Sequence, residues 1–202
     1  MKVKICGITS LEDALLCSQL GADALGFIFY KNSRRNIDYS DAGEIIAKLP
    51  PFTYKVGVFI DHKYEMINNI SQTLGLNAVQ LYEDQSFISK INLPVIKCFR
   101  IKNEFNFTDL GNYTGCSFLL DTYSENEFGG TGASFDWHII PYELRNKIIL
   151  AGGISESNIE YIYNEIRPAA VDLSSSIESS PGKKDFSKLK IFLNKINKLR
   201  YK

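Results

Sequence analysis

Short apolar runs rich in β-branched and aromatic residues recur along the chain. They fall at 3–7, 24–29, 55–60, 78–82, 95–101, 117–122, 148–152 and 170–174. Most are nearly continuous rather than alternating, the pattern of parallel strands covered on both faces. Between them the hydrophobic period lengthens to that of a helix. Helices are predicted over 10–20, 40–49, 64–74, 84–91, 155–166 and 185–199. Ser10 precedes the first, with Asp13 in capping-box spacing, and Gly21 stops it. The last has apolar residues at 186, 189, 192, 193, 196 and 199, with lysines on its outer face. The stretch 102–113 carries Gly and Asn and reads as irregular.

Eight strand-then-helix units with short connections predict an α/β fold, a closed (β/α)8 TIM barrel, as one domain over 1–202. An open doubly wound sheet is the alternative. It usually carries GxGxxG after its first strand, and this chain does not. A length of 202 residues is short for such a barrel, so its loops must be short.

Composition narrows the function. Lys plus Arg number 23 and Asp plus Glu number 23, so no general polyanion surface is expected, and nucleic acid is not an expected partner. The four cysteines form no CxxC pair, and only two histidines exist, so no metal site is expected. No leader-like segment and no apolar run of about 20 residues appears, which predicts a cytoplasmic protein with free thiols and no membrane partner.

In a barrel of this kind the chemistry sits at the C-terminal strand ends. Polar and small residues collect there: Cys6-Gly7, the segment 31–35, Asp121-Thr122, Gly152-Gly153, and Asp172 with Ser174-Ser175-Ser176. Glycine lets backbone N–H groups approach a phosphate closely, and serine adds neutral donors. The last two strand ends therefore suit a phosphate; the plain alternative is a pair of tight turns. Cys6 suits acid–base work if a positive field lowers its thiol towards neutrality, and otherwise it is a small buried hydrophobe. Cys17, Cys98 and Cys116 read as structural. Asp121 either caps the next segment or acts in the mouth as an acid or base. Asp172 is placed to orient the serine turn after it. Arg34 and Arg35 could meet a substrate carboxylate or lie solvated. The glycine-rich 129–132 segment suits a lid, and it lacks the lysine of a nucleotide-triphosphate loop.

Several segments, in this order and spacing, are similar to one family. They are Lys4-Ile5-Cys6-Gly7-Ile8-Thr9, Gly26-Phe27-Ile28-Phe29 with Ser33 and Arg35, Val56-Gly57-Val58-Phe59, and Val79-Gln80-Leu81. Further on come Leu119-Leu120-Asp121-Thr122, Gly129-Gly130-Thr131-Gly132 with Phe135-Asp136-Trp137, and Leu150-Ala151-Gly152-Gly153-Ile154. The last are Val171-Asp172-Leu173-Ser174-Ser175 and the run Ser180 to Asp185. Over essentially its whole length the chain resembles the phosphoribosylanthranilate isomerases of tryptophan biosynthesis.

The resemblance implies an Amadori rearrangement of N-(5-phosphoribosyl)anthranilate, a small phosphorylated partner. It implies no metal or organic cofactor, and either a monomer or a homodimer. By it, Cys6 is the base that removes the sugar C2 proton, and Asp121 is the acid that protonates the ring oxygen. Arg35 meets the anthranilate carboxylate, and Gly152, Gly153, Ser174 and Ser175 hold the phosphate. Gln80, Gly130 and Asp172 complete the substrate contacts. An isomerase of histidine biosynthesis is a rival reading, disfavoured because that chemistry uses two aspartates; a non-catalytic phosphate-ligand barrel is another. The chain departs from the family pattern at Arg34, at Tyr82-Glu83, and at Ser176, where glycine is usual. Serine at 176 predicts a strained phosphate loop, because serine tolerates positive φ poorly.

Overall fold

The computed structural model describes residues 1–102, 104–123 and 134–201. Eight strands close a parallel barrel in sequence order: β1 (Lys2–Cys6), β2 (Ala24–Ile28), β3 (Tyr54–Val58), β4 (Ala78–Leu81), β5 (Val95–Ile101), β6 (Cys116–Thr122), β7 (Ile148–Leu150) and β8 (Ala170–Leu173). β1 pairs with both β2 and β8, which closes the ring.

The connections include helices α1 (Leu11–Gln19), α2 (Tyr39–Ile46), α3 (Tyr64–Leu74), α4 (Gln85–Ile88), α5 (Tyr142–Arg145), α6 (Ile159–Tyr161) and α7 (Phe186–Arg200). Ser10 caps α1, its side chain accepting from the Asp13 N–H at 3.2 Å. The capping box stays half made: the Asp13 carboxylate instead accepts from the Lys184 N–H at 3.0 Å. Asp185 caps α7 by accepting from the Lys188 N–H at 3.0 Å, and α7 buries Leu189, Phe192, Leu193 and Ile196 completely.

The expected single helix over 155–166 is broken. A turn of α6 widens into a π-turn over Ile162–Ile166, closed by Arg167 N–H to Ile162 O at 2.8 Å. Arg167 leaves it left-handed at φ 56°, and Pro168 prevents continuation. The stretch 102–113 contains only a 3-10 turn over Phe107–Asn112. Two features lack a sequence expectation: α5 with the 3-10 turn over Trp137–Ile139, and an antiparallel hairpin of β9 (Glu178–Ser180) and β10 (Lys183–Lys184). The hairpin strands are polar and too short to show a period, and Pro181-Gly182 between them reads simply as a turn, with Gly182 at φ 83°.

Strand alternation divides the core in two. Val3, Ile5, Leu25, Phe27 and Leu120 face outward to a large layer beneath the helices. Val56, Ala78, Ile96, Cys98, Leu119 and Ala151 form a smaller cluster that fills the barrel itself. Above that plug the interior turns polar. Among the described residues, no helix is long and apolar enough to cross a membrane.

Candidate active site

The C-terminal strand ends enclose a cavity of about 460 Å³. Cys6, Arg35, Gln80, Asp121, Gly152, Gly153, Asp172, Ser174 and Ser175 all line it. Gly130 lies outside the described residues, as does the 129–132 segment.

Cys6 is the last residue of β1 and faces inward, with Gly7 turning the chain away at φ 75°. The N–H groups of Gly7 and Ile8 both donate to Gly26 O at 3.0 Å. Gly26 makes the space: a Cβ there would sit 2.8 Å from Cys6 Sγ and 3.1 Å from Lys4 Nζ. A thiol lowered towards neutrality is the sequence expectation for Cys6, and the structure corrects it. Burial pushes the thiol above its ordinary value, and the Lys4 ammonium only partly offsets this.

Asp121 lies on the inward face of β6 near its end, and among the described residues it caps no helix. Its carboxylate accepts from the Thr122 N–H at 2.8 Å. Burial, then the Asp172 carboxylate, push it up to about 6, against that hydrogen bond and the cations Lys4 and Arg100. Asp172 does not orient the serine turn. Its Oδ2 accepts from Lys4 Nζ at 2.8 Å, and its Oδ1 has no partner among the described residues. Gln80 is likewise buried inside the mouth with Oε1 unsatisfied.

The Arg34–Arg35 pair divides. Arg34 is exposed and Arg35 is buried. Arg35 donates through Nε and Nη2 to the buried Glu178 carboxylate at 2.9–3.1 Å. Glu178 also accepts from Lys184 Nζ at 2.8 Å, and Lys184 donates to Cys6 O at 2.6 Å. The hairpin thus ties the Arg35 loop to the end of β1. Arg35 and Lys184 hold the Glu178 carboxyl below its ordinary value despite burial.

At the end of β7, Gly152 and Gly153 take φ of 83° and 66°. A Cβ on Gly152 would collide with Thr122 Oγ1. Asn158 donates to Gly153 O at 2.8 Å and fixes the turn. After β8, residues Ser175–Ile177 form a 3-10 turn. Arg167 is the only non-glycine residue with positive φ among those described, so Ser176 carries no left-handed strain. That removes the expected conflict at Ser176.

Lys4, Glu178, Lys184 and Tyr82 belong to this site although residue patterns did not single them out as functional. Lys4 left one signal, a charge two residues before Cys6 on the same inward face of an apolar strand. Glu178 left none, because the hairpin that places it is invisible in the hydrophobic period, and Lys184 appears only within the run Ser180 to Asp185 that carries the resemblance. Tyr82 continues the inward face of β4 after Ala78 and Gln80 and lines the cavity, with Cys98 near its phenol. Burial holds its phenol well above the ordinary value.

Residues 3–195 match the family described as N-(5'-phosphoribosyl)anthranilate (PRA) isomerase. A relative so named from Trichlorobacter lovleyi is 43% identical over 197 residues, 96% of each chain. The crystal structure of phosphoribosyl anthranilate isomerase from Thermotoga maritima superposes with a TM-score of 0.90 at 40% identity, covering 98% of this chain and 99% of that one. A second such crystal structure, in complex with reduced 1-(o-carboxyphenylamino)-1-deoxyribulose 5-phosphate, gives 0.86 at 39% identity over 98% and 99%.

Proposed function

The chain belongs to the N-(5'-phosphoribosyl)anthranilate isomerase family, and on that premise we propose that Cys6 and Asp121 are the base and the acid of its reaction. The enzyme is an isomerase of tryptophan biosynthesis. It converts N-(5-phosphoribosyl)anthranilate into 1-(2-carboxyphenylamino)-1-deoxyribulose 5-phosphate.

The observation that carries the assignment is the shared cavity, into which β1 presents a thiol and β6 a carboxyl pushed up to about 6. A carboxyl in that range keeps a proton to give near neutral pH. Protonated Asp121 gives it to the furanose ring oxygen. The C1–O bond breaks as the anthranilate nitrogen lone pair forms a C1=N⁺ iminium. That positive nitrogen acidifies the C2 proton, and the Cys6 thiolate removes it. The C2–H electrons form the C1=C2 bond and neutralise nitrogen. The resulting enolamine gains a proton at C1 and loses one from the C2 hydroxyl, which gives the ketone. Protons balance, and no oxidant or cofactor is needed.

Binding follows from the remaining groups. Glu178 engages Nε and Nη2 of Arg35, which leaves Nη1 to meet the anthranilate carboxylate. Gly152 and Gly153 with Ser174 and Ser175 suit the phosphate, and the unsatisfied Oε1 of Gln80 suits a sugar hydroxyl. Asp172 lines the same wall, bound to Lys4. The four free cysteines fit the reducing cytoplasm.

The test follows the loss of phosphoribosylanthranilate fluorescence in Cys6→Ala and Cys6→Ser. Each should lower kcat by roughly 10²- to 10⁴-fold while the reduced product analogue still binds. Near-wild-type turnover in either variant would sink the base assignment.

A further inference from the structure

Two charges lie inside the barrel within electrostatic reach of both the thiol and the carboxyl of the site. Lys4 and Asp172 are cross-strand partners on β1 and β8, joined at 2.8 Å. Their side chains are 4% and 8% exposed. Hydrophobic neighbours of similar size would fill this space without the cost of desolvating two ions. The pair is also oriented. The Lys4 ammonium shares with Cys6 Sγ the hollow left by Gly26, so its charge acts directly on the thiol. Asp172 carries an unsatisfied Oδ1 and lines the cavity with Asp121.

We propose that the buried Lys4–Asp172 ion pair is a positioning device, an oriented dipole that biases Cys6 towards thiolate and Asp121 towards its protonated form. The inference rests on Cys6 and Asp121 being the base and the acid.

The charges facing each group support the direction. Around Cys6 stand Lys4 from its own strand, Asp172 from β8, and Lys184 from the hairpin. Burial raises the thiol most; Lys4 is the largest influence lowering it and outweighs Asp172. Around Asp121 stand Asp172 from β8, Lys4 from β1 and Arg100 from β5, with the Tyr82 phenol and Cys98 thiol nearby. There Asp172 outweighs Lys4, and it adds to burial in raising the carboxyl. One ion pair therefore acts on the two groups in opposite senses. Lys4 itself stays charged: burial opposes its ammonium, but Asp172 and then Cys6 more than compensate. Burial works against the thiolate, while Asp121 is pushed up to about 6, and the pair raises the share of thiolate beside protonated carboxyl.

Breaking the pair from each side gives opposite signatures. Lys4→Met leaves Asp172 unopposed, so both groups hold protons to higher pH, and the kcat/KM bell moves up. Asp172→Asn leaves Lys4 unopposed, and the bell moves down. Each shift should be about one pH unit or more, the scale of a single charge at contact. A double Lys4→Met/Asp172→Asn variant removes both ions and avoids an unpaired buried charge. Its acidic limb should move down and its basic limb up, so the bell widens as its height falls. A purely structural pair would lower the bell in all three variants without moving its limbs, and that result overturns the proposal.

Peptide-resolved alkylation of Cys6 by iodoacetamide against pH reads the thiol without turnover. The alkylation midpoint should rise in Lys4→Met and fall in Asp172→Asn. If it does so while the kcat/KM limbs stay fixed, the ion pair controls the thiol and the assignment of Cys6 as base fails instead. If neither the alkylation midpoint nor the limbs move, the ion pair has no such role.

Discussion

The two sides of the barrel interior differ in kind. The strands from β3 to β6, with Ala151 just after β7, fill it with Val56, Ala78, Ile96, Cys98, Leu119 and Ala151, an apolar plug that gains free energy by burial. β8 and β1 place Lys4, Asp172 and Cys6 above it, their side chains nearly as hidden from solvent. Buried ion pairs are weak evidence for stability, because desolvation offsets their attraction. The apolar side accounts for why the barrel closes; the ionic side is explained by the reaction above it.

Within one strand, β6 allows the sharpest break of this comparison. Leu119 and Asp121 both face inward, two residues apart, one in the plug and one in the mouth. Asp121→Asn should lower kcat by roughly 10²- to 10⁴-fold with the melting temperature almost unchanged. Leu119→Ala should do the reverse: about 2–5 kcal/mol of stability lost and kcat kept in the folded fraction. Steady-state kinetics and urea unfolding of both variants separate the two. Equal losses of activity and stability in both would erase the distinction between plug and mouth.

A smaller effect is expected where the ionic side reaches the hairpin. Glu178 holds two cations, Arg35 and Lys184, and Lys184 reaches back to the Cys6 carbonyl. Glu178→Gln keeps the shape but removes the charge that fixes the Arg35 guanidinium. Misplaced by an ångström or so, that fork should raise KM by roughly 10- to 100-fold with a smaller change in kcat. An unchanged KM would mean that Arg35 is held by its own loop rather than by the hairpin.

The plug and the ionic side were not equally legible in the sequence. All eight strands are evident from apolar runs, since burial on both faces leaves a continuous signal. The ends of those strands, and hence Cys6 and Asp121, follow from where the runs stop. Helices with tertiary interruptions were less visible: the π-turn after α6 depends on Pro168 and on packing, not on local period. The hairpin was hidden because its strands are polar, and its work is done by long-range bonds such as Arg35 to Glu178, 143 residues apart. Glu178 could be found only once the fold was known. Lys4 falls in the segment that leads to Cys6, but its part depends on Asp172, 168 residues away. The thiol of Cys6 shows the same limit: residue type and strand end suggested a lowered value, while the depth of burial reversed it.

The smallest expected effect comes from the other end of β1, where ions meet solvent. Asp23 accepts from Lys2 Nζ and from the Val3 N–H at 2.8 Å each, and it pairs with Arg200 of α7. Its side chain is 24% exposed. Burial works to raise this carboxyl, but the Lys2 and Val3 hydrogen bonds and the Arg200 charge more than reverse that and hold it below 3.8. A lowered folded value means the contribution is complete above 3.8 and is lost as the pH falls through the folded value. Solvent screens such a pair, so Asp23→Asn should cost only about 0.2–1 kcal/mol at neutral pH. Urea unfolding at a series of pH values should show wild type and variant converging in acid, with the neutral-pH gap shrinking in high salt. A salt-insensitive gap larger than about 3 kcal/mol would place Asp23 with the buried ions of Lys4 and Asp172. A small, screened gap would confirm that ions on β1 are costly to disturb only inside the barrel, where the chemistry is.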